Sequence, residues 1–264
     1  MNNIKPDLSI CIPTYNRATP LDRLVTRLQA SIKKLNIDPA SIELLISNNA
    51  STDETQKYLN GLNCDYIKVF NQSNNAGANW NIEFCYANAR GRYVWVIGDD
   101  DLPEPGLLGA VIESIKSFSP GVIYIAPDYS ADLSKINASN YNGCHNVKVM
   151  ARSDFSYYVG HLLSFVSSLV VNAETPNRNA VLDFLSKYSD SYIPSLIYTL
   201  PVIIGSSRFV CINNPKIHVT IGQTSSYPAK HTFGIKFPEI LRDIARDHPD
   251  ICRSLISSET TRHL

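Results

Sequence analysis

Three consecutive aspartates, Asp99, Asp100 and Asp101, follow the apolar run 93–97 and are the residues of this sequence best suited to chemistry. Carboxylates at the end of an apolar strand repel one another and lose hydration unless a cation or hydrogen-bond donors compensate. Mg²⁺ or Mn²⁺ suits such oxygen ligands, because these ions also bind phosphate oxygens of a substrate. The alternative is an acidic turn that caps the helix expected after Pro103. The pattern therefore predicts either a divalent metal site or a capping turn.

Polar turns also follow the three preceding apolar runs. They are 13–17 (P-T-Y-N-R), 47–53 (S-N-N-A-S-T-D) and 71–79, which contains Gly77. None of them has the G-x-G-x-x-G pattern of a dinucleotide site or the G-K-[ST] ending of a P-loop. Because ligands of open α/β sheets bind beyond the carboxyl ends of the strands, these turns are where a binding site is expected.

The elements that position these turns alternate between short β-rich runs and helical stretches. Strands are predicted at 8–13, 42–47, 66–71, 93–98 and 122–127, and helices at about 20–35, 53–62, 77–88 and 103–117. This alternation predicts an α/β fold with a Rossmann-like, mostly parallel sheet flanked by helices. Further on, we expect a surface loop at 128–146, a strand at 168–172, helices at 179–188 and 191–200, strands at 208–212 and 216–221, and two short helices after residue 227.

Composition excludes several classes of protein. The 264 residues are 44% apolar and 18% charged, which is typical of a globular chain. Twenty-four basic and 24 acidic side chains give zero formal net charge, so a nucleic-acid partner is not expected. No apolar run approaches the roughly 18 residues of a membrane span, and residues 1–7 lack the hydrophobic core of a signal peptide. We therefore expect a cytoplasmic protein.

The six cysteines lie far apart and include no C-x-x-C pair. This spacing favours neither a zinc site nor a disulfide framework. We expect them to be reduced and mostly buried.

Four motifs in register carry a resemblance to a known family. They are I-C-I-P-T-Y-N-R (10–17), S-N-N-A-S-T-D-E-T (47–55), N-N-A-G-A-N-W-N (74–81) and A-R-G-R-Y-V-W-V-I-G-D-D-D (89–101). In their order and spacing, these motifs resemble the family 2 nucleotide-sugar glycosyltransferases, which have the GT-A fold. The resemblance covers about residues 7–127. Together with S-F-V-S-S-L-V-V (164–171), the S-N-N-A-S motif is most similar to bacterial O-antigen transferases of the abequosyltransferase type.

The resemblance implies roles for residues of the first and fourth motifs. Pro13, Thr14 and Tyr15 would lie against the nucleoside, with the Tyr15 ring stacked on the base, and Arg17 would reach the diphosphate. In the acidic motif, Asp99 and Asp100 would bind the nucleotide sugar, with Asp99 on the ribose, and Asp101 would hold the metal. The alternatives are an ordinary aromatic that covers the sheet for Tyr15 and a solvated helix residue for Arg17.

Asn49 departs from the family pattern. Members that use uridine nucleotides carry an aspartate at this position, which accepts from N3–H of uracil. An amide can instead donate to N3 of cytosine, so Asn49 favours a CDP-sugar, although its carbonyl could also serve uracil or thymine. The alternative is a turn residue that binds its own backbone. Gly77, in the third motif, is expected to contact the nucleotide sugar as well.

Two further residues complete the expected site. The family places its catalytic base, an Asp or Glu that is usually in an E-D pair, at the start of a helix in the second half, and Asp190 matches that place although the preceding acid is missing. A plain helix N-cap would also explain Asp190. His218 lies where related enzymes have a histidine that touches the metal or diphosphate, and a structural strand histidine is the alternative.

These features predict a GT-A glycosyltransferase domain at 1–226, with a nucleotide-binding half at 1–127 and an acceptor-side half at 128–226, followed by a helical tail at 227–264. It would transfer a sugar from a nucleotide diphosphate, with Mg²⁺ or Mn²⁺, to a lipid-linked glycan or other saccharide acceptor of a bacterial surface polysaccharide. A lipid-linked acceptor would bring it into peripheral contact with the cytoplasmic face of the inner membrane. The alternatives are a nucleotidyltransferase that makes a nucleotide sugar and an inactive module that binds one.

Overall fold

The computed structural model describes residues 5–130, 145–174, 178–220 and 228–258. These residues form an α/β fold around one mixed sheet of nine strands. The strands are β1 Leu8–Thr14, β2 Ile42–Asn48, β3 Ile67–Asn71, β4 Tyr93–Val96, β5 Leu102–Pro103, β6 Val122–Ser130, β7 Asn146–Met150, β8 Leu169–Asn172 and β9 Phe209–Thr220. The helices are α1 Ala18–Lys34, α2 Thr55–Asn60, α3 Ala78–Asn88, α4 Leu107–Phe118, α5 Arg152–Val159, α6 Arg178–Lys187, α7 Pro194–Gly205, α8 Ala229–His231, α9 Phe237–Ile244 and α10 Pro249–Ile256.

The strand order is β3-β2-β1-β4-β8-β6-β9-β5, and β7 pairs with β9. The first four strands are parallel, as their alternation with helices predicts. β8 runs antiparallel to both β4 and β6, so it joins the first half of the chain to the second. β6 and β9 are parallel to each other, while β5 and β7 run antiparallel to β9. The predicted α/β fold class is confirmed.

The sheet separates the core into two layers. In β1, Ile10 and Ile12 belong to one hydrophobic cluster and Cys11 to the other, because successive strand residues point to opposite faces. The buried face of α1, which recurs every three or four residues as predicted, packs in the first cluster with α4. The second cluster contains side chains of α3, α5, α6 and α7.

The described part of the predicted tail packs into the second cluster. Phe237, Ile240 and Leu241 of α9 and Ile251 and Leu255 of α10 are buried there with residues of the sheet. The tail helices therefore share one hydrophobic core with the preceding residues. The domain bounds drawn from the sequence stay a prediction.

Several element predictions are corrected by the structure. The expected surface loop at 128–146 is strand at both ends, since β6 continues to Ser130 alongside β9 and β7 begins at Asn146; residues 131–144 lie outside the described part. The two strands expected at 208–212 and 216–221 are one strand, β9, and residue 221 is not described. The helix predicted to end at Leu200 continues through Pro201 to Gly205 as α7, and almost every side chain of this helix is buried.

Two other expectations concern cysteines and membrane helices. The five cysteines in the described part of the chain are free, three of them buried and two half-buried, and Cys144 lies outside it. Within the described ranges, no helix combines the length and the apolar character needed to cross a bilayer.

A buried polar cluster joins the amino-terminal ends of β1, β2 and β4. The Glu43 carboxylate accepts hydrogen bonds from Ser9 Oγ at 2.5 Å and from Arg90 N at 2.9 Å, and Gly91 N donates to Ser9 Oγ at 2.8 Å. A Cβ atom on Gly91 would lie 2.5 Å from the backbone nitrogen of Ser9 and 2.7 Å from the carbonyl oxygen of Tyr93. The close approach of these strands therefore requires a glycine at this position.

We expect Gly91→Ala to lower the free energy of unfolding by about 2 kcal/mol or more, because the atoms that the new methyl group meets are backbone and cannot move aside. Gly234→Ala is the matched control, since a Cβ atom there meets nothing within 4 Å. Urea unfolding of both variants measures the difference. Equal stability of the two variants would contradict the packing argument.

Candidate functional site

A cleft of about 330 Å³ opens at the carboxyl-terminal ends of the first strands. Seven of the eight residues predicted to bind a nucleotide sugar line it, and Asn75, Ala78, Asn81 and Ile82 complete the lining. The seven are Pro13, Thr14, Tyr15, Arg17, Asn49, Gly77 and Asp99. The register that pairs Thr14 of β1 with Asn48 of β2 brings the first two polar turns to the same level. The roles of these residues stay a prediction.

The turns after β1 and β2 interlock through hydrogen bonds. Asn16 has a positive φ of 53°, its backbone nitrogen donates to Ser51 Oγ at 2.9 Å, and its side-chain oxygen accepts from Thr52 N at 2.8 Å. Arg17 N donates to Thr55 Oγ1 at 3.1 Å at the start of α1. The backbone that presents Tyr15 and Arg17 is therefore held by the neighbouring turn.

Arg17 also contacts the acidic motif. Its Nη1 lies 3.2 Å from Asp100 Oδ2, and both side chains remain about one-third exposed, at 34% and 27%. Asp100, the eighth predicted residue, is therefore joined to the cleft through Arg17. A guanidinium in this position can exchange its carboxylate partner for phosphate oxygens.

Asp99 lies at the base of the cleft. Its Oδ2 accepts a hydrogen bond of 2.6 Å from Thr14 Oγ1, and both residues are buried. Burial raises the pKa of Asp99 to about 6, although the bond from Thr14 opposes this rise, and the nearby Asp100 carboxylate adds to it. The aspartate is well placed to accept a hydrogen bond from a ligand hydroxyl group.

The third carboxylate of the motif is held by a residue that the sequence analysis did not single out. Ser167 Oγ donates to Asp101 Oδ2 at 2.5 Å and accepts from Gly98 N at 2.9 Å. The carbonyl oxygen of Ser167 accepts from the Trp95 indole at 2.9 Å. Ser167 belongs to the S-F-V-S-S-L-V-V motif, so this contact joins that motif to the aspartates.

Both N–H donors of the Asn49 amide are used inside the protein. Its Nδ2 donates to Asn75 Oδ1 at 2.8 Å and to the Gly77 carbonyl at 3.2 Å, and its Oδ1 accepts from Ala76 N at 3.1 Å. Asn49 therefore fastens the segment 75–77 over β2. To donate to a base, the amide would have to give up one of these bonds. Gly77 has a φ of +93° before α3, a conformation that side chains rarely adopt.

Asn81 lines the cleft, and the sequence analysis did not single it out. Its Nδ2 donates to the Ser47 carbonyl at 3.0 Å and to the Thr14 carbonyl at 3.5 Å, which ties α3 to β1 and β2. Its buried Oδ1 has no hydrogen-bond partner among the residues described. The N-N-A-G-A-N-W-N motif contained this residue, and only the fold distinguishes it from the neighbouring asparagines.

His218 lies beside β5 and faces two carboxylates. Its Nε2 is 3.1 Å from Glu104 Oε1 and its Nδ1 is 3.8 Å from Asp128 Oδ2. One ligand atom of each of the three residues lies within 4.8 Å of the others, a spacing that could hold a metal ion. Among the described residues, Asp101 is not a member of this group, although Leu102, its neighbour, pairs with His218 in the sheet.

The buried Nδ1 of His218 has no hydrogen-bond partner in the described part of the chain. An imidazole with a carboxylate near each of its ring nitrogens is a ligand set that suits Mn²⁺ or another divalent cation. These residues therefore fit a metal ion. The alternative to a metal ion is an ion pair between protonated His218 and Glu104, which the same distances allow.

Asp190 lies in a turn between α6 and α7. The turn is kept in place by the Ser191 N bond to the Tyr188 carbonyl at 2.9 Å and by the Asn79 side chain, which donates to the Ser189 carbonyl at 3.3 Å. α7 begins at Pro194 with Ile193 as its cap residue, so the expected helix from Ser191 and the N-cap explanation of Asp190 are corrected. Asp190 is 63% exposed, and its Oδ2 lies 2.9 Å from Lys236 Nζ.

A larger cavity of about 640 Å³ lies at the opposite end of the sheet, near the start of β1 and the end of α1. Its walls include Leu8, Leu35, Ile37 and Ile112, and none of the predicted site residues lines it. Because ligands of α/β sheets bind beyond the carboxyl ends of strands, the smaller cleft is the candidate site.

Comparison with known proteins agrees with this geometry. The sequence model of "Glycosyl transferase family 2" matches residues 9–160, more than half of the chain. Abequosyltransferase RfbV of Salmonella typhimurium is 27% identical over an alignment of 221 residues. The match covers 74% of this chain and 60% of the relative. GalNAc(5)-diNAcBac-PP-undecaprenol beta-1,3-glucosyltransferase of Campylobacter jejuni is 31% identical over 111 residues, 41% of this chain and 34% of the relative. The chain spans less than two thirds of the length of either relative.

Solved structures share the fold at low sequence identity. Mannosyltransferase PcManGT from Pyrobaculum calidifontis, in complex with GDP-Man and Mn²⁺, superposes with a TM-score of 0.63 at 13% identity and covers 96% of this chain and 70% of its own. S. aureus TarS in complex with UDP-GlcNAc gives a TM-score of 0.59 at 18% identity, with 97% of this chain and 68% of that chain covered. The family resemblance and its abequosyltransferase type are confirmed, and the chain belongs to glycosyl transferase family 2 and has the GT-A fold.

Proposed function

We propose that this protein transfers a sugar from a nucleoside diphosphate donor to a saccharide acceptor of a bacterial surface polysaccharide. The observation that carries the proposal is the cleft at the ends of β1 and β2, which is lined by Tyr15, Arg17 and Asp99. An aromatic ring, a guanidinium and a buried carboxylate are complementary to a base, a diphosphate and a ribose, in that order. Family membership supports the same chemistry.

The acceptor is proposed from the relatives. The name of the Campylobacter relative includes PP-undecaprenol, a lipid carrier, and the Salmonella relative is an abequosyltransferase. A lipid-linked saccharide of the O-antigen type is the corresponding acceptor here. Such an acceptor would place the protein at the cytoplasmic face of the inner membrane, in peripheral contact with it.

Transfer requires a group that accepts the proton of the acceptor hydroxyl, and Asp190 is the residue proposed for this. As the proton moves to Asp190, the acceptor oxygen forms a bond to the anomeric carbon, and the bond from that carbon to the diphosphate breaks. Arg17, released from Asp100, would stabilise the charge that develops on the departing nucleoside diphosphate. A carboxylate that is 63% exposed is accessible to a bulky saccharide.

A divalent cation, Mg²⁺ or Mn²⁺, is proposed as the cofactor. Asp101 and His218 are the residues predicted to hold it, and Glu104 and Asp128 accompany His218. When bound, such an ion neutralises charge on the diphosphate. The Ser167 bond to Asp101 orients this carboxylate, as hydrogen bonds to metal ligands commonly do.

The first prediction concerns metal dependence. CDP, UDP, GDP and dTDP are screened for a rise in melting temperature with and without Mn²⁺, since a ligand that binds only the folded state stabilises it by about 2.7 kcal/mol at a hundred times its dissociation constant. We expect Asp101→Asn, which can still bond Ser167, and His218→Gln to lose the metal-dependent part of the shift. A full metal-dependent shift in both variants would exclude these ligands.

The second prediction concerns the base. Asp190→Asn is expected to lower the turnover of sugar transfer by roughly a hundredfold or more, because an amide cannot accept the proton. The melting temperature and the nucleotide shift should stay at the wild-type values, since Asp190 caps no helix and is exposed. Asp183→Asn, at an exposed position on α6, is the matched control. Wild-type turnover in Asp190→Asn would remove this residue from the mechanism.

The third prediction separates two roles of Asn49. An aspartate there cannot donate to Asn75 Oδ1 or to the Gly77 carbonyl. Its carboxylate oxygen would instead face these two oxygens, lone pair against lone pair. If Asn49 holds the segment 75–77 in place, Asn49→Asp weakens the binding of CDP and of UDP by the same factor. A loss of about 1–3 kcal/mol corresponds to about tenfold or more in the dissociation constant. This is the outcome that the contacts favour.

Calorimetry with both nucleotides and both proteins decides between the roles. A wild-type preference for CDP that the substitution moves toward UDP would instead restore the proposed contact between Asn49 and the base, and with it a CDP-sugar donor.

A further inference from the structure

The turn that carries Asp190 has a hydrogen-bonded backbone and an exposed carboxylate. Ser191 and Asn79 hold the backbone through the bonds described above, and Tyr192 adopts a positive φ of 63°, which is rare for a bulky residue. The carboxylate itself takes no part in these bonds and is 63% exposed. A base must nevertheless be oriented closely, because misplacement by about 1 Å can cost a hundredfold in rate.

Lys236 supplies the contact that the turn lacks. It lies at the end of a π-helical turn, Thr232–Lys236, which leads directly into α9. Its side chain is only 15% exposed, and its Nζ lies 2.9 Å from Asp190 Oδ2 and 3.7 Å from Glu239 Oε2. The hydrogen bond to Asp190 raises the pKa of Lys236 above its ordinary value, so the ammonium group stays charged.

The tail also contacts the other side of the same turn. Asp243 of α9 accepts from Lys187 Nζ at 2.6 Å and from the Tyr188 hydroxyl at 2.8 Å. The π-helical turn and α9 therefore bridge the end of α6 and the turn of Asp190, with one ion pair between Asp243 and Lys187 and one between Lys236 and Asp190. The first involves no residue of the proposed mechanism, whereas the second involves the proposed base.

We infer that Lys236, from the carboxyl-terminal helices, is a positioning residue that orients the Asp190 carboxylate for the acceptor. By bonding Oδ2, the ammonium group leaves Oδ1 to take the acceptor proton. Because the Asp190 carboxylate of this pair is mostly exposed to water, the pair adds little to stability, and orientation is the effect that this contact can supply. The inference rests on the proposed role of Asp190 and adds the tail to the catalytic apparatus.

A double-mutant cycle tests the inference. The assay uses the nucleotide sugar whose nucleoside diphosphate gives the largest thermal shift and an undecaprenyl-diphosphate-linked saccharide as acceptor. Lys236→Met is expected to lower kcat about tenfold or more and to leave the KM of the donor and the nucleotide-dependent thermal shift unchanged. In the Asp190→Asn background, the same change should alter kcat by less than twofold, because both substitutions act through one carboxylate. Lys236→Arg should restore most of the rate.

Lys187→Met is the matched control, since it removes an ion pair of α9 of the same kind without touching Asp190. Equal losses of kcat in Lys187→Met and Lys236→Met, or a loss from Lys236→Met that persists in full with Asp190→Asn, would overturn the inference. If Lys236→Met does not fold, Lys236→Gln replaces it in the cycle.

The same assay separates this inference from the proposed function. Absence of transfer by the wild-type protein with every nucleotide sugar contradicts the proposed function. Transfer that depends on Asp190 but not on Lys236 contradicts only the positioning role.

Discussion

The parallel pairing of β1 with β2 on one side and β4 on the other is the constraint on which the candidate site depends. This register brings Thr14, Asn48 and the acidic motif to one edge of the sheet. The hydrogen bond from Thr14 to Asp99 joins the first and fourth strands across that edge. Polar side chains that are buried at the ends of three apolar strands lose their contacts with water. This cost in free energy is offset because each of them forms hydrogen bonds with a neighbouring turn.

Amide side chains do most of this joining. Asn16 connects the turns after β1 and β2, Asn49 fastens the segment before α3, and Asn81 ties α3 to both strands. An amide can donate and accept at once, so a short side chain can link two backbone segments. The cleft is thus surrounded by a hydrogen-bonded framework, and the charged residues that line it are Arg17 and Asp99.

The second half of the chain acts on this framework from two places. Ser167, just before β8, holds Asp101, and β8 itself pairs with β4, which precedes the acidic motif. The carboxyl-terminal helices reach the turn of Asp190 through Lys236 and pack into the core that α3 and α7 share. The proposed donor and acceptor sides are therefore supported by the same hydrophobic cluster.

The sequence by itself determined the α/β class, the first five long strands and seven of the residues that line the cleft, because hydrophobic periodicity and local motifs are properties of neighbouring residues. Only the tertiary structure decided the partners of His218, the use of Asn49 as a fastener, the start of α7 and the contact of Lys236 with Asp190. β5 and β7 were also missed, since a short strand depends on its pairing with β9 and not on its own pattern. Such contacts join residues tens of positions apart, and the spacing of residues along a chain does not specify which distant side chains meet.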